Sequence, residues 1–324
     1  MKQIVALLYI VFCFFCVQAQ PVNDDLLNNS PDFFLATPPE SSLSGNNDKK
    51  ILVNEKDSSA YALIAGGSRG IGFAIAEALA KRRYNLILIA RGMDDLVEAK
   101  RKLETAYPAV HVEILSYDLS KEETATAIAA WCTEKNIKLK MLCNVAGLGG
   151  DEDYLSLSLD SLRYMVRLNL ESAMAMSLTL LPLLEKNAAS YILNVASMAG
   201  FAPIPSKNLY AATKSALISF SYSLRYQLRE KNISVSCLAP GPVYTKPSIE
   251  KETKRQLGWF GDQMAVSPER VGEITVRKTL KGRPMITPGT LAKILSGVLR
   301  ILPKRFVTYI YGKAGDRSER KKNK

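Results

Sequence analysis

The chain has 324 residues, of which 43 are Lys or Arg, 31 are Asp or Glu and one is histidine, giving a formal net charge of +12. This length accommodates one large α/β domain with extensions, and 47% hydrophobic residues can fill a buried sheet. Because His111 is the only histidine, the chain has no Ser-His-Asp triad and no histidine-based zinc site, which excludes zinc-dependent alcohol oxidation. The five cysteines show neither a disulfide framework nor metal-ligand spacing, and no metal site is expected.

The N-terminal 57 residues differ in composition from the rest of the chain. Residues 1–19 contain Lys2, an apolar run over residues 4–17 and a small-residue site ending at Ala19, a pattern typical of a signal peptide. Cleavage after Ala19 is predicted, with an uncleaved anchor or a misassigned start site as alternatives. Either targeting signal would make the protein membrane-associated or exported. Residues 20–57 are rich in Asn, Asp, Ser and Pro and predict a disordered linker.

Strand-like apolar runs alternate with helical patterns through the middle of the chain. Such alternation predicts βαβ units, in which a parallel sheet is covered by helices on both faces. We therefore expect a single α/β domain over residues 58–282, with a three-layer, doubly wound parallel sheet. Pro182 is expected to bend a long helix that begins near Asp160. The predicted strands are residues 61–65, 85–90, 110–116, 139–143, 190–196 and 233–239.

A glycine-rich turn follows the first predicted strand. It reads Gly66-Gly67-Ser68-Arg69-Gly70-Ile71-Gly72 and precedes an apolar helical pattern that starts at Phe73. A strand, a glycine turn and a helix in this order favour a dinucleotide site, because glycines let the backbone approach a pyrophosphate at the helix N-terminus. An ordinary turn between strand and helix is the alternative, since the spacing differs from GxGxxG.

Tyr210 and Lys214 stand one helical turn apart, and Ser197 lies thirteen residues upstream of the tyrosine. A lysine cation one turn away is expected to lower the pKa of the phenol, which could then exchange a proton with a substrate oxygen. Ser197 would hold that oxygen by a hydrogen bond. This is the chemistry of a carbonyl reductase or alcohol dehydrogenase, although the pair alone is also common on amphipathic helices.

Taken together in chain order, these motifs resemble those of the short-chain dehydrogenase/reductase family, which has a three-layer Rossmann fold. The matches extend over roughly residues 58–282. Two positions depart from the family pattern: Ala65 replaces a threonine and Val145 replaces a second asparagine, which is expected to loosen cofactor binding. The matching residues are Gly66, Gly70 and Gly72; Asp118; Asn144-Val145-Ala146-Gly147; Asn169; Ser197, Tyr210 and Lys214; Pro240-Gly241; and Thr245.

The resemblance implies hydride transfer between a nicotinamide cofactor and a ketone or secondary alcohol. Tyr210 would be the proton donor, Lys214 would bind the nicotinamide ribose, Ser197 would orient the carbonyl, and Asn169 would hold a relay water. A catalytically silent nucleotide-binding scaffold or sensor of the same fold is the alternative. The residues expected to contact the cofactor are Gly66, Ser68, Arg69, Gly70, Ile71, Gly72, Arg91, Asp118, Asn144, Ala146, Gly147, Tyr210, Lys214, Pro240, Gly241, Val243 and Thr245.

The end of the second predicted strand indicates which nicotinamide cofactor is used. An acid there would bind the ribose 2′-OH of NAD, whereas an arginine accommodates the 2′-phosphate of NADP. The strand ends Ala90-Arg91-Gly92, with no acid until Asp94, and Arg69 adds a second cation in the glycine turn. NADP(H) is therefore expected in preference to NAD(H).

The C-terminal residues carry most of the net charge. Residues 281–324 contain twelve Lys or Arg and two acids, so they supply ten of the twelve net positive charges. Apolar stretches at 291–301 and 306–311 alternate with cations and predict two short amphipathic helices that bind an anionic membrane surface. A helix packed on the core with a solvated basic tail is an equal alternative. Nucleic-acid binding is not expected, because no recognition motif accompanies the charge.

Substrate identity is the least constrained property. Residues 246–265, which include Trp259 and Phe260, mix charged and aromatic side chains and predict a mobile segment that closes over an apolar substrate. With the expected membrane contact, this favours a small lipid-like ketone, such as a 3-oxoacyl or sterol-like compound. A homodimer or homotetramer is also expected.

Overall fold

The computed structural model describes residues 60–149, 154–245 and 265–322, with the backbone alone from residue 314 onward. The predicted targeting segment and linker therefore lie outside the described residues. So does most of the segment that we expect to close over the substrate.

Seven parallel strands form one sheet in the order β3-β2-β1-β4-β5-β6-β7. The six predicted strands are all present, and the third begins two residues later than expected. The two-residue β7 was not predicted, because so short a run carries no periodicity. The strands are β1 Tyr61–Ala65, β2 Asn85–Ala90, β3 Val112–Ser116, β4 Leu139–Asn144, β5 Ser190–Val195, β6 Ile233–Leu238 and β7 Met285–Ile286.

Helices cover both faces of this sheet, which confirms the three-layer, doubly wound fold. One face is packed by Ile75, Leu96 and Val271, and the other by Ile128 and Met176, all of them buried. The helices are α1 Gly70–Ala80, α2 Met93–Ala106, α3 Thr124–Glu134, α4 Leu159–Val166, α5 Ser172–Thr179, α6 Leu181–Glu185, α7 Asn208–Gln227, α8 Pro268–Leu280, α9 Thr290–Ile301 and α10 Lys304–Lys322.

The long helix that begins at Leu159 ends before Pro182. It runs from α4 through a single π-helical stretch, Arg167–Glu171, into α5 and ends at Thr179. Pro182 lies instead in the first turn of α6. Proline is tolerated at that position because the N–H it lacks has no partner within the helix. Pro182 thus belongs to a new helix, whereas it was expected to lie within one long helix that it bends.

Helices α1 and α8 approach each other closely at Gly272. A Cβ added there would lie 2.3 Å from the carbonyl oxygen of Ala74. Because only hydrogen fits at this crossing, α8 holds α1, and with it the glycine turn at the start of α1, in a fixed position against the sheet.

The two C-terminal helices pack on the domain. Leu299 of α9 and Val307 of α10 are buried against Phe201, Ala202 and Ala239 in a third hydrophobic cluster. Helix α10 has 19 residues and is longer than predicted. Within the described part of the chain, no helix combines the length and the apolar character needed to cross a membrane.

Candidate active site

The direction of the crossover connections reverses between β1 and β4, and ligands of such sheets bind at the carboxyl ends of the strands on either side of this point. Hydrogen bonds join the ends of β1 and β4 at this point. The carbonyl oxygen of Ala65 accepts hydrogen bonds from the N–H groups of Val145 and Ala146, at 2.9 and 2.8 Å. Gly66 follows with φ of 92°, and a Cβ on it would lie 2.7 Å from the nitrogen of Ala146. The turn therefore needs glycine at this position.

The start of α1 presents its backbone donors to a ligand. Its N-cap residue, Arg69, makes no side-chain capping hydrogen bond, and its first turn contains no acid. The first N–H groups of the helix and the positive end of its dipole are thus available to an anion. Gly70 has φ of 55°, and a Cβ on it would approach the side chain of Thr245 to 3.1 Å. These features fit the pyrophosphate of a dinucleotide.

Asp118, the expected adenine contact, follows β3 and is ionised. Its Oδ1 accepts hydrogen bonds from the N–H and the hydroxyl of Ser120, at 3.0 and 2.8 Å. Partial burial acts to raise the pKa of the carboxyl, but these hydrogen bonds and the charges of Arg91 and Lys121 outweigh it and lower the pKa. The charge of Arg91, at the end of β2, therefore acts on the carboxylate of Asp118, which follows the neighbouring strand β3.

Both arginines expected near the 2′-position have partners that the sequence did not reveal. Arg69 forms an ion pair with Asp95 in the first turn of α2. Arg91 donates a hydrogen bond of 2.7 Å to the hydroxyl of Tyr164, and its guanidinium lies 5.9 Å from the centre of that ring. Neither contact could be predicted from local patterns. Asp95 lies in the first turn of a helix, where an acid is expected because of the helix dipole alone. Tyr164 is 73 residues away from Arg91 in sequence.

The structure brings Ser197, Tyr210 and Lys214 together. Ser197 follows β5 and caps the 3₁₀ turn Met198–Phe201, where its Oγ accepts a hydrogen bond of 3.1 Å from the N–H of Ala199. The side chain of Ser197 also lies near the hydroxyl of Tyr210 and favours its phenolate form. Both Tyr210 and Lys214 belong to α7, and the lysine Nζ lies 5.8 Å from the centre of the tyrosine ring.

The electrostatics of this triplet differ from the expectation in one respect. Lys214 is only 3% exposed, and its Nζ donates a hydrogen bond of 2.9 Å to the carbonyl oxygen of Val195. Burial lowers the pKa of Lys214 to about 8. The pKa of Tyr210 is raised rather than lowered, because burial disfavours the phenolate more than the nearby Ser197 side chain favours it. The prediction that the pKa of Tyr210 lies below its usual value was therefore wrong, because burial outweighs the groups that favour the phenolate.

Asn169 lies in the π-helical stretch and is 1% exposed. Its Oδ1 accepts a hydrogen bond of 2.7 Å from the N–H of Leu148, and its Nδ2 donates one of 2.8 Å to the carbonyl oxygen of the same residue. A Cβ on Gly147 would lie 3.1 Å from the Nζ of Lys214 and 3.2 Å from the Oδ1 of Asn169. The side-chain amide of Asn169 thus holds the loop after β4 next to Lys214, and its binding of a relay water stays a prediction.

A chain of buried polar side chains continues from the end of β4. Asn144 donates a hydrogen bond of 2.8 Å to Asn194, its neighbour on β5, and Asn194 donates one of 3.0 Å to Ser221 on α7. Of these residues only Asn144 was predicted from the sequence, because residues separated by 50 positions show no common local pattern. This chain fixes α7 relative to the strand ends.

The remaining predicted cofactor residues surround the same edge of the sheet. The carbonyl oxygen of Pro240 accepts a hydrogen bond of 3.1 Å from the N–H of Met198, and Thr245 donates one of 2.8 Å to Val243 through its N–H. The segment after β6 is therefore joined to the turn after Ser197. The others are Ser68, which precedes α1, Ile71 and Gly72 in its first turn, Ala146 and Gly147 after β4, and Gly241 after β6.

Residues 60–256 match the model of the short chain dehydrogenase family, which covers more than half of the chain. The protein therefore belongs to the short-chain dehydrogenase/reductase family and is an NAD(P)-dependent oxidoreductase.

Relatives with assigned activities are similar over most of the domain. The chain is 30% identical over 214 residues to the 3-oxoacyl-[acyl-carrier-protein] reductase of Bos taurus, covering 64% of this chain and 88% of the bovine protein. It is 28% identical over 234 residues to the NADP-dependent 3-hydroxy acid dehydrogenase of Schizosaccharomyces pombe, covering 71% and 90% of the two chains.

A solved structure with bound ligands is also similar. The L-sorbose reductase of Gluconobacter frateurii, in complex with NADPH and L-sorbose, superposes with a TM-score of 0.64 at 26% sequence identity. The superposition covers 71% of this chain and 96% of the reductase.

Proposed function

We propose that the protein is an NADP(H)-dependent carbonyl reductase or secondary-alcohol dehydrogenase. The observation that carries the proposal is that Ser197 lies near the hydroxyl of Tyr210, with Lys214 buried one helical turn further along α7. These side chains lie beyond the carboxyl ends of the central strands, next to a glycine turn suited to a dinucleotide.

A nicotinamide cofactor bound at this turn supplies or accepts the hydride. During reduction Tyr210 donates its proton to the carbonyl oxygen, and its raised pKa keeps that proton in place at neutral pH. Ser197 orients the same oxygen by a hydrogen bond. Lys214, a cation below pH of about 8, stabilises the phenolate as it forms and would also hold the nicotinamide ribose.

The preference for NADP(H) rests on the two cations near the end of β2. Arg91 directly follows the strand, and Arg69 lies at the start of α1, so both can approach a 2′-phosphate. The relative from Schizosaccharomyces pombe is named as NADP-dependent, and the L-sorbose reductase binds NADPH. Steady-state constants measured with each cofactor test the preference, which a lower KM for NADH than for NADPH would refute.

Apolar side chains beside Tyr210 favour a substrate with a hydrophobic part. They are Tyr154, Leu157, Met165 and Leu209, next to the polar residues Lys207 and Asn208. Such side chains suit a 3-oxoacyl or sterol-like ketone better than a small charged one. The bovine relative is named as a 3-oxoacyl reductase, which agrees with this substrate class.

Tyr210→Phe tests the proposed chemistry. Since proton transfer by a positioned side chain contributes roughly 100- to 10,000-fold, turnover of a ketone panel with NADPH should fall by at least about 100-fold. NADPH binding, measured by its fluorescence, should stay nearly unchanged. Tyr222→Phe, on the same helix but 43% exposed, is the matched control. If the wild-type protein binds NADPH but reduces no member of the panel, the scaffold alternative gains support.

A further inference from the structure

Helices α9 and α10 meet at an exposed corner that combines apolar and basic side chains. We define this C-terminal corner as residues 300–306. Ile301 within it is 86% exposed and Phe306 is 40% exposed. Arg305, which lies between them in sequence, is also exposed. An almost fully exposed isoleucine beside an aromatic residue is costly to hydrate, and such groups mark interaction surfaces.

The exposed apolar residues continue along the outer face of each helix. In α9 the buried residues Ala292, Ser296 and Leu299 face the domain. Ile294, 38% exposed, is seven positions before Ile301 and therefore lies on the same outer face. In α10 Tyr309 is 57% exposed, whereas Val307 is buried in the core contact. Each helix thus packs with one face and presents another, partly apolar face to solvent.

The charges at this corner are placed unfavourably for the protein alone. Lys304 and Arg305 occupy the first turn of α10, where the helix dipole is positive, and that turn contains no acid. Cations stabilise the C-terminal end of a helix and destabilise the N-terminal end. An anionic partner would reverse this effect, because its charge would be stabilised by the exposed Arg305 and by the positive end of the helix dipole.

We propose that the C-terminal corner binds the surface of an anionic lipid membrane. Ile301 and Phe306 enter the boundary between headgroups and acyl chains, and Arg305 contacts the lipid phosphates. A nucleic acid would match the charge but would not cover the aliphatic side chains. A bilayer supplies both an anionic layer and an apolar layer, as the corner requires. The proposal is independent of the reaction that the protein catalyses.

Sedimentation with vesicles tests this proposal in the full-length protein. The vesicles are phosphatidylcholine alone or phosphatidylcholine mixed with phosphatidylglycerol. Since one basic residue near a charged surface contributes on the order of 1 kcal/mol, Arg305→Gln should weaken binding to the anionic vesicles about fivefold. Ile301→Ser should weaken it about tenfold, because most of an aliphatic side chain leaves the interface.

Two exposed positions outside the corner provide matched controls. Lys135→Gln removes a cation just after α3, and Val97→Ser removes a 52% exposed aliphatic side chain from α2. Both variants should bind anionic vesicles as the wild type does. Unchanged binding of Arg305→Gln and Ile301→Ser would overturn the proposal, since contact would then come from elsewhere, such as residues 4–17. A loss of self-association or of RNA binding in these variants, without a change in vesicle binding, would equally overturn it.

Discussion

The side chain of Lys304 reaches from the last helix to the carbonyl oxygen of Phe201, to which its Nζ donates a hydrogen bond of 2.8 Å. The guanidinium of Arg300 lies 4.3 Å from the centre of the Phe201 ring. Phe201 ends the turn that begins directly after Ser197, and a Cβ on Gly200 in that turn would lie 2.8 Å from the carbonyl carbon of Lys214. The C-terminal helices therefore hold the turn against the helix that carries Tyr210 and Lys214.

Replacing Lys304 should affect catalysis from outside the site. Lys304→Met keeps the aliphatic part of the side chain but removes the donor to Phe201, so Ser197 loses support. We expect kcat to fall about tenfold, less than the roughly 100-fold cost of a 1 Å misplacement, with little change in the Kd for NADPH. Lys304→Arg should restore most of the activity. Lys313→Met, further along α10, should behave as wild type, and equal losses in the two methionine variants would contradict this role.

Two helical glycines should respond in opposite ways to the same substitution. Gly272→Ala places a methyl group 2.3 Å from the carbonyl oxygen of Ala74 and forces α1 and α8 apart, which should reduce the free energy of unfolding by about 1–3 kcal/mol. Gly297 in α9 has no atom within 4 Å of an added Cβ, so Gly297→Ala should stabilise by about 0.5–1 kcal/mol through helix propensity. Urea unfolding measures both, and a neutral Gly272→Ala would show that the helix crossing is loosely packed.

Lys214 should leave a signature in the pH dependence of stability. Its pKa is 10.5 in the unfolded chain and about 8 in the fold. Between these values the unfolded chain binds a proton that the native state lacks, so this lysine makes stability rise with pH across the window, by up to about 3 kcal/mol in total. Lys214→Met should lack that rise, and Lys135→Met should retain it. Urea unfolding from pH 7 to 10.5 makes the comparison, and parallel curves for wild type and Lys214→Met would show that the pKa is not lowered.

Arg91 should discriminate between the two nicotinamide cofactors. Under the proposed role of Arg91, Arg91→Gln removes a charge-assisted hydrogen bond to the 2′-phosphate, worth roughly 1.5–3 kcal/mol, so the KM for NADPH should rise at least about tenfold. The KM for NADH should change little. Arg101→Gln, an exposed position on α2 paired with Glu98, is the control. Equal increases of KM for both cofactors would assign Arg91 a general structural role through Tyr164.

The sequence was most informative where structure is set by neighbours in the chain. Buried parallel strands are apolar throughout, so β1 and β2 could be predicted to the residue, whereas the two-residue β7 has no pattern of its own. The spacing of Tyr210 and Lys214 predicted that the two side chains lie on the same face of one helix, which is α7. It did not show how deeply they are buried, which is why the direction of the tyrosine pKa shift was predicted wrongly.

Contacts between distant segments could not be predicted, because they are not set by neighbours in the chain. Asp95 and Tyr164 hold the two predicted phosphate-binding arginines, and Asn194 joins Asn144 to α7, yet each pair is separated by 26 residues or more. Nothing in a local pattern specifies such partners. They follow from the order of the strands, which brings their ends to one edge of the sheet.

The attachment of the turn after Ser197 to the last two helices also determines how the protein loses activity on heating. Terminal helices open more readily than the central strands of a sheet, because they share fewer buried contacts. When α9 and α10 loosen, Phe201 loses its hydrogen bond and its stacked guanidinium, and the turn is freed while the seven strands remain paired. We therefore expect heat to inactivate the enzyme by local melting of these helices, at a lower temperature than that at which the sheet unfolds.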